Sequence, residues 1–227
     1  MSLDEALARL AEVARPARIR DTQTVSTFDA LHRVLAVELR SQIDVPPADN
    51  TSMDGYALRA ADVPAAGTLL PVSQRVPAGV VGQPLQAGTA ARILTGAQVP
   101  LGADAVVMQE LCEVQGEAVR INSVPQSGQW IRRRGEDVKA GGTVLSEGTR
   151  LTPQALGLAA TVGAAQLTVL RRPRVALFST GDELVMPGAV PPDQLPPGAI
   201  YNSNRYTLRG LLQAAGCEVV DLGIVPD

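Results

Sequence analysis

Aromatic side chains are scarce in these 227 residues: one Trp, three Tyr and two Phe, 3% of the chain. A core of this size must be filled by Val, Leu, Ile and Ala, which dominate an apolar fraction of 45%. Histidine occurs once, as His32, and no Ser-His-Asp arrangement, zinc ligand set or Walker phosphate loop can be assembled. Cys112 and Cys217 lie far apart, in no C-x-x-C pair, which excludes a disulfide-dense scaffold and reads as two reduced thiols. No stretch approaches the ~18 apolar residues of a membrane span. The start, MSLDEALARLAEVARP, is acidic early and lacks the apolar core of a signal peptide. A net charge of −3 offers no strongly basic face to nucleic acid. These absences lead us to expect a soluble, cytoplasmic protein that engages neither membrane nor nucleic acid.

What is abundant is punctuation: 21 glycines and 17 prolines predict many turns and short strands. Ser2 and Glu5 stand at capping-box spacing, and Leu3, Leu7, Leu10 and Ala14 recur at helical intervals until Pro16. A second amphipathic helix is predicted from about Phe28 to Leu39, with Leu31, Val34 and Leu35 on one face. His32 falls inside it and reads as a surface or packing residue. From Tyr56 to Val138 short alternating runs (AARILTG, DAVVMQE, CEVQGEAVRINS) predict a β-rich lobe, the last run a hairpin around Gln115-Gly116-Glu117. Leu151–Gly163 returns to helix, with Thr152 as N-cap, Pro153 at the first position and Gly163 past the end.

After RRPR, the run VALFS suits a strand buried on both faces. A helix from about Asn204 to Ala215, closed by Gly216, and the strand CEVVDLGIV would complete a parallel βαβ unit. Asp227 is placed to cap a further helix, and two parallel strands cannot cover both their faces. The expectation is a piece of a longer protein, or a sheet completed by a partner subunit.

Polar segments fall at the turns: DNTSMDGY, LTGAQVP at 94–100, RRRGEDV at 132–138 and STGDEL at 179–184. Each joins a glycine to a carboxylate or hydroxyl, combining close backbone approach with metal or hydrogen-bond contacts. Any one alone reads equally as an ordinary turn with a solvated acid. Together, carboxylates near arginines suit a phosphate-bearing ligand bridged by Mg²⁺. Arg132, Arg133 and Arg134 can hold an oxyanion through their planar forks. On an extended strand alternate arginines face opposite ways, so one or two of them meet the ligand, with Arg133 the candidate; a solvated strand edge is the other reading.

Four longer stretches, PPADNTSMDGYALRAADV, ARILTGAQVPLGADAVVMQE, SGQWIRRRGEDVKAGGTVLSEGTRLTPQALGLAATVG and RVALFSTGDEL…GAIYNSNRYTLRGLLQAAGCEVVDLGIVPD, resemble the molybdopterin molybdenumtransferases of the bacterial MoeA type, related to the E domain of gephyrin. The similarity runs over essentially the whole chain in the family's order. It implies a multi-domain α+β fold. Residues 1–55 with 138–170 would form a discontinuous N-terminal domain, part of 27–45 packing on the α/β domain. Residues 56–137 would be an inserted β-rich lobe, and 171–227 the first βαβ portion of a MogA-like, molybdopterin-binding α/β domain.

The resemblance further implies a transferase of molybdenum-cofactor biosynthesis. Such an enzyme takes adenylated molybdopterin and molybdate, uses Mg²⁺, inserts the metal at the dithiolene and releases AMP. Carried over residue by residue, Asp54, Asp137 and Glu183 would be metal-positioning or acid–base groups, the metal falling to Asp54 and Glu183. Thr95 would be a hydrogen-bonding contact, and Ser203 and Asn204 would touch the ligand from a helix N-terminus. The family's elongated homodimer and a molybdopterin adenylyltransferase would be the partners. A non-catalytic dimeric binding module of the same fold is the alternative that the gephyrin relationship implies. Trp130 departs from the smaller or polar residue usual beside RGED, and the family's GGVSVGD-like and PGKP-like segments are not in this sequence.

Overall fold

A computed structural model describes residues 1–16 and 18–225; Asp227 lies outside them. The described residues form a mixed α+β fold with three α-helices. They divide into two compact units, Met1–Leu39 with Leu145 onward, and Arg40–Val144. In chain order the longer elements are α1 (Leu3–Ala14), β1 (Thr22–Ser26), β2 (Gly55–Leu58), β3 (Thr68–Val76), β4 (Ala90–Ile93), β5 (Ala105–Met108), β6 (Cys112–Gln115) and β7 (Ala118–Ile121). They continue with α2 (Pro153–Thr161), β8 (Gln166–Leu170), β9 (Arg174–Thr180), α3 (Ser203–Ala214) and β10 (Glu218–Val225).

The first unit opens with α1, whose capping box forms in full. Ser2 Oγ accepts from the Glu5 N–H at 3.2 Å, and Glu5 Oε2 accepts from the Ser2 N–H at 2.7 Å. None of its residues is buried, so the stripe of Leu3, Leu7, Leu10 and Val13 stands exposed. β1 and β8 pair antiparallel from Thr22↔Leu170 to Ser26↔Gln166. α2 begins at its Thr152 cap with Pro153 at the first turn, and its exit is turned by Gly163 at φ +78°.

The expected helix over 28–39 does not form. A 3₁₀ turn at Thr27–Asp29 gives way to extended chain, with Val34 bridging Arg150 and Leu35 bridging Val169. Arg33 and Leu35 are buried while Phe28 is 93% exposed. The alternating burial of Arg33 and Leu35 has strand period, and β1–β8 offers that segment backbone partners. His32, at φ +63°, interrupts any helical path.

Further on, β9 and β10 run parallel with α3 between them in sequence, which is the expected βαβ unit. The expectation that VALFS is buried on both faces does not hold among the described residues. Only Leu177 of β9 is buried, and Phe178 is 54% exposed, because one neighbouring strand and one helix cover too little of it.

The second unit is built on a six-stranded sheet in the order β5-β2-β4-β3-β7-β6, with β3 and β4 the parallel pair. The hairpin β6–β7 turns over Gly116 and Glu117, as the sequence pattern predicts. Both sheet faces are covered. Leu58, Val63, Leu70, Val107, Val119 and Ile121 fill one side, and Ala57, Val76, Ile93, Ala97 and Val106 the other. All four residues of β2 are buried.

That burial leaves no room at Gly55. A Cβ there would lie 2.0 Å from the Val107 carbonyl oxygen and 2.9 Å from its carbon, both backbone atoms of β5. The clash cannot be relieved by a rotamer change, so Gly55→Ala must part β2 from β5. Urea unfolding followed by circular dichroism should show a loss of about 3 kcal/mol, the upper range for overpacking a close-packed interior.

Candidate functional site

Because β2 is held by its neighbours, the turn before it has a determined geometry. Thr51, which is buried, closes that turn on itself. Its hydroxyl donates to the Met53 carbonyl at 2.9 Å and accepts from the Met53 N–H at 3.1 Å. The 94–97 turn is stitched to the same residue, since Gly96 N–H donates to Thr51 O at 2.8 Å and Thr51 N–H to Ala97 O at 3.0 Å. Two turns distant in sequence are thereby set side by side. At their meeting point the Thr95 N–H and hydroxyl both donate to Asp54 Oδ1, each at 2.7 Å.

Those donors, the backbone N–H first and the hydroxyl second, hold the Asp54 carboxyl below the usual carboxylate range. Some desolvation opposes them, and the charge of Arg92 adds a smaller pull downward. Asp54 is therefore an ionised carboxylate with one oxygen saturated and Oδ2 without a partner among the described residues.

Arg92 was not singled out by sequence reasoning. It projects from β4, donates to Gly55 O at 3.0 Å and to Gln109 Oε1 at 2.5 Å, and lies 5.2 Å from the centre of the Tyr56 ring. An arginine inside the apolar run AARIL was the available signal, since a charge in a buried strand needs partners.

The RRRGED turn meets this region through a two-residue ladder, Ile131↔Thr51 and Arg132↔Asn50. The ladder is antiparallel, so the chain leaves Thr51 toward Asp54 at one end and leaves Arg132 toward Asp137 at the other. Each arginine there already holds a carboxylate. Arg132 binds Asp137 and Glu136, Arg133 binds Asp49 at 2.7 Å, and Arg134 binds Asp44 at 2.6 Å. The Arg134 N–H also donates to Asp49 at 2.8 Å, and Asp49 is depressed chiefly by that bond. Arg133 and Arg134 nevertheless reach a cavity of about 290 Å³, which Gln98, Leu101 and Ile131 also line. Trp130 adopts φ +56°, and its carbonyl accepts from the Ser52 N–H at 3.3 Å.

Glu183, Ser203 and Asn204 belong to the other unit. Glu183 follows β9 and is exposed, with its carboxylate folded over Gly181, where an added Cβ would lie 2.5 Å from Oε2. Ser203 and Asn204 occupy the first turn of α3 and are exposed. The cap is Asn202, one residue earlier than either. It is 2% exposed, accepts from the Arg205 N–H at 3.2 Å and donates to Ser179 Oγ at 3.0 Å. In YNSN both Asn202 and Ser203 are competent caps, and the bond to Ser179 decides between them.

Among the described residues no cluster of three His, Cys, Asp or Glu side chains could hold a metal ion. The donor set around Asp54 still fits Mg²⁺, which typically takes one or two protein carboxylates and completes its octahedron with water and substrate oxygens.

Comparison with known proteins adds an independent line. Residues 1–163 match the family model of the MoeA N-terminal region (domain I and II), and 176–227 match that of a probable molybdopterin binding domain. A molybdopterin molybdenumtransferase of Haemophilus influenzae is 38% identical across 100% of this chain and 55% of its own length. Molybdopterin molybdenumtransferase 2 of Mycobacterium tuberculosis is 44% identical over 87% of this chain and 49% of its own. The crystal structure of the molybdopterin biosynthesis moeA protein from Pyrococcus horikoshii superposes with a TM-score of 0.84 at 35% identity, covering 92% of this chain and 56% of that one. The chain thus spans about half the length of the curated relatives it matches.

The paired donors on Asp54 set a pH signature. A carboxylate depressed by folding stabilises the fold above its unfolded pKa of about 4, and that contribution is lost as pH falls through the lower folded value. Thr95→Val removes the hydroxyl donor and keeps the backbone one. In carbon-detected NMR titrations the Asp54 midpoint should move up toward the ordinary range. The stability gap between wild type and variant should be full at neutral pH and close on acidification; an unmoved midpoint would show that the hydroxyl bond does not form.

Proposed function

The chain belongs to the MoeA family of molybdopterin molybdenumtransferases, and from that membership we propose that its protein inserts molybdate into adenylated molybdopterin during molybdenum-cofactor biosynthesis, releasing AMP. The observation that carries the site is Asp54. It is kept ionised by two Thr95 donors, with Oδ2 open, on a turn that cannot shift because Gly55 is locked against β5. An ionised carboxylate so held can fix a bound cation or take a proton from a reacting group without first being desolvated. Mg²⁺, if held by Asp54, would supply positive charge that offsets the charge of the substrate's phosphate.

In the same reading Glu183, on the first unit, is a metal-positioning or acid–base carboxylate in its own right, and Asp137, oriented by Arg132, is an acid–base group. Arg133 offers its fork to a substrate oxyanion. Ser203 and Asn204 present the first turn of α3, where N–H groups favour an anion. The working unit would be a cytoplasmic homodimer supplied by a molybdopterin adenylyltransferase. The exposed apolar stripe of α1 supports association of the chain with another surface.

The decisive assay is formation of molybdenum cofactor from adenylated molybdopterin and molybdate by the full-length protein. Asp54→Asn preserves shape and removes the charge, and should lower the rate on the order of 10²-fold or more. An unchanged rate would overturn the assignment of Asp54, and absence of cofactor formation by the wild-type protein would favour a non-catalytic dimeric binding module.

A further inference from the structure

Arg33 is an anomaly that the proposed site does not use. It is 7% exposed, and a guanidinium buried to that degree is ordinarily paired with a carboxylate. Its partners here are neutral. The Leu170 carbonyl accepts at 2.7 Å, and the Gln23 amide oxygen, turned toward it, accepts from both terminal nitrogens at 2.6 Å. Burial first, and then the charge of Arg172, lowers the Arg33 pKa, so the nearest titratable influence on it is another cation.

Arg33, Arg171 and Arg172 all line a cavity of about 170 Å³, together with His32, Pro173 and Gly216, and among the described residues no carboxylate contributes to its wall. The acids nearby in the chain are turned to other tasks. Glu218 pairs with Arg174 at 3.8 Å, and Asp21, whose backbone carbonyl accepts from the Arg171 N–H at 2.8 Å, is not among the residues that line the cavity. One partial compensation exists, because Ala215 and Gly216 stand at the C-terminus of α3, whose dipole is equivalent to roughly −0.5 charge. Arg150 already takes the Ala214 carbonyl there, at 3.0 Å. Half a charge beside four arginines leaves the cluster strongly cationic.

We propose that this cavity is a binding site for a phosphate group, free or at the end of a small phosphomonoester. Planar guanidinium forks match the geometry of phosphate oxygens, and a dianion would offset more of the cluster's charge than a monocarboxylate. The cavity falls well below the roughly 300 Å³ at which pockets for drug-sized ligands begin, so a whole nucleotide does not fit inside. The site sits on the RRP segment joining β8 to β9, and a bound dianion would tie that linker to the buried Arg33.

The test uses the intact chain and inorganic phosphate, with sodium chloride at matched ionic strength as reference. Isothermal titration should detect phosphate, and the melting temperature should rise with phosphate above its value in chloride. Arg171 and Arg172 are exposed, so Arg172→Gln and the pair Arg171→Gln with Arg172→Gln should fold as wild type by circular dichroism. The pair should weaken phosphate binding at least tenfold. Arg75→Gln, the loss of one arginine charge in the other unit, should leave binding unchanged. Glycerol 3-phosphate measured in parallel assigns the source, tighter binding of the ester naming a phosphomonoester and tighter binding of the ion naming free phosphate. Equal effects of phosphate and chloride, or equal weakening by Arg75→Gln and the pair, would overturn the proposal.

Discussion

At Gly55 the backbone of β2 lies so close to β5 that even a methyl group would meet the Val107 carbonyl at 2.0 Å. This contact has consequences beyond one residue. It keeps β2 paired between the edge strand β5 and β4 with all its residues buried, and it sets the point at which the chain emerges toward solvent. Asp54 is the residue at that point. Its position follows from a packed interior, whose stiffness the turn inherits. Thr51 and Gly96 then bring Thr95 to it through backbone bonds, so the main chain positions the two residues whose side chains meet at the site.

The arginine-rich turn at 132–137 works differently. Its ion pairs are largely solvent-exposed, and such pairs are worth about 0–1 kcal/mol each. Their value lies in register. Asp49 takes the Arg134 N–H, Asp44 takes the Arg134 side chain and the Ala140 N–H, and Val45 takes the N–H groups of Asp137 and Val138, which together hold this turn against the segment that leads into the Asp54 turn. The network holds two loops in place while adding little to stability. It also means that Arg133 would have to share or exchange Asp49 to meet a ligand.

Much of the fold could be read directly. Ser2 with Glu5, Thr152 with Pro153, and Gly163 and Gly216 marked helix ends correctly because capping is a local matter of a few backbone groups. The hairpin over Gly116 was equally local. Residues 28–39 misled for the converse reason. Their apolar spacing satisfied a helix, but Leu35 found a backbone partner in Val169, over a hundred positions away, and no local pattern reports such a partner. The composition of VALFS, 175–179, suits a strand buried on both faces, yet how far a strand is covered depends on what packs on it.

For the site, the residue types and the presence of glycine beside acid were legible, and family resemblance sharpened them to particular positions. Arg92, Asn202 and Arg33 were not. Each draws its meaning from neighbours remote in sequence: Gln109 and the Gly55 carbonyl, Ser179, and Leu170 with Gln23. By itself the sequence determined the N-caps of α1 and α2, the tight turns, the aliphatic core and the family, because those depend on local chemistry and on motifs. Which carboxylate is held ionised, which arginine is left with neutral partners and which strand is covered were decided by tertiary structure alone. Those properties arise from long-range pairing, and a charge takes its character from the dielectric and donors that folding places around it.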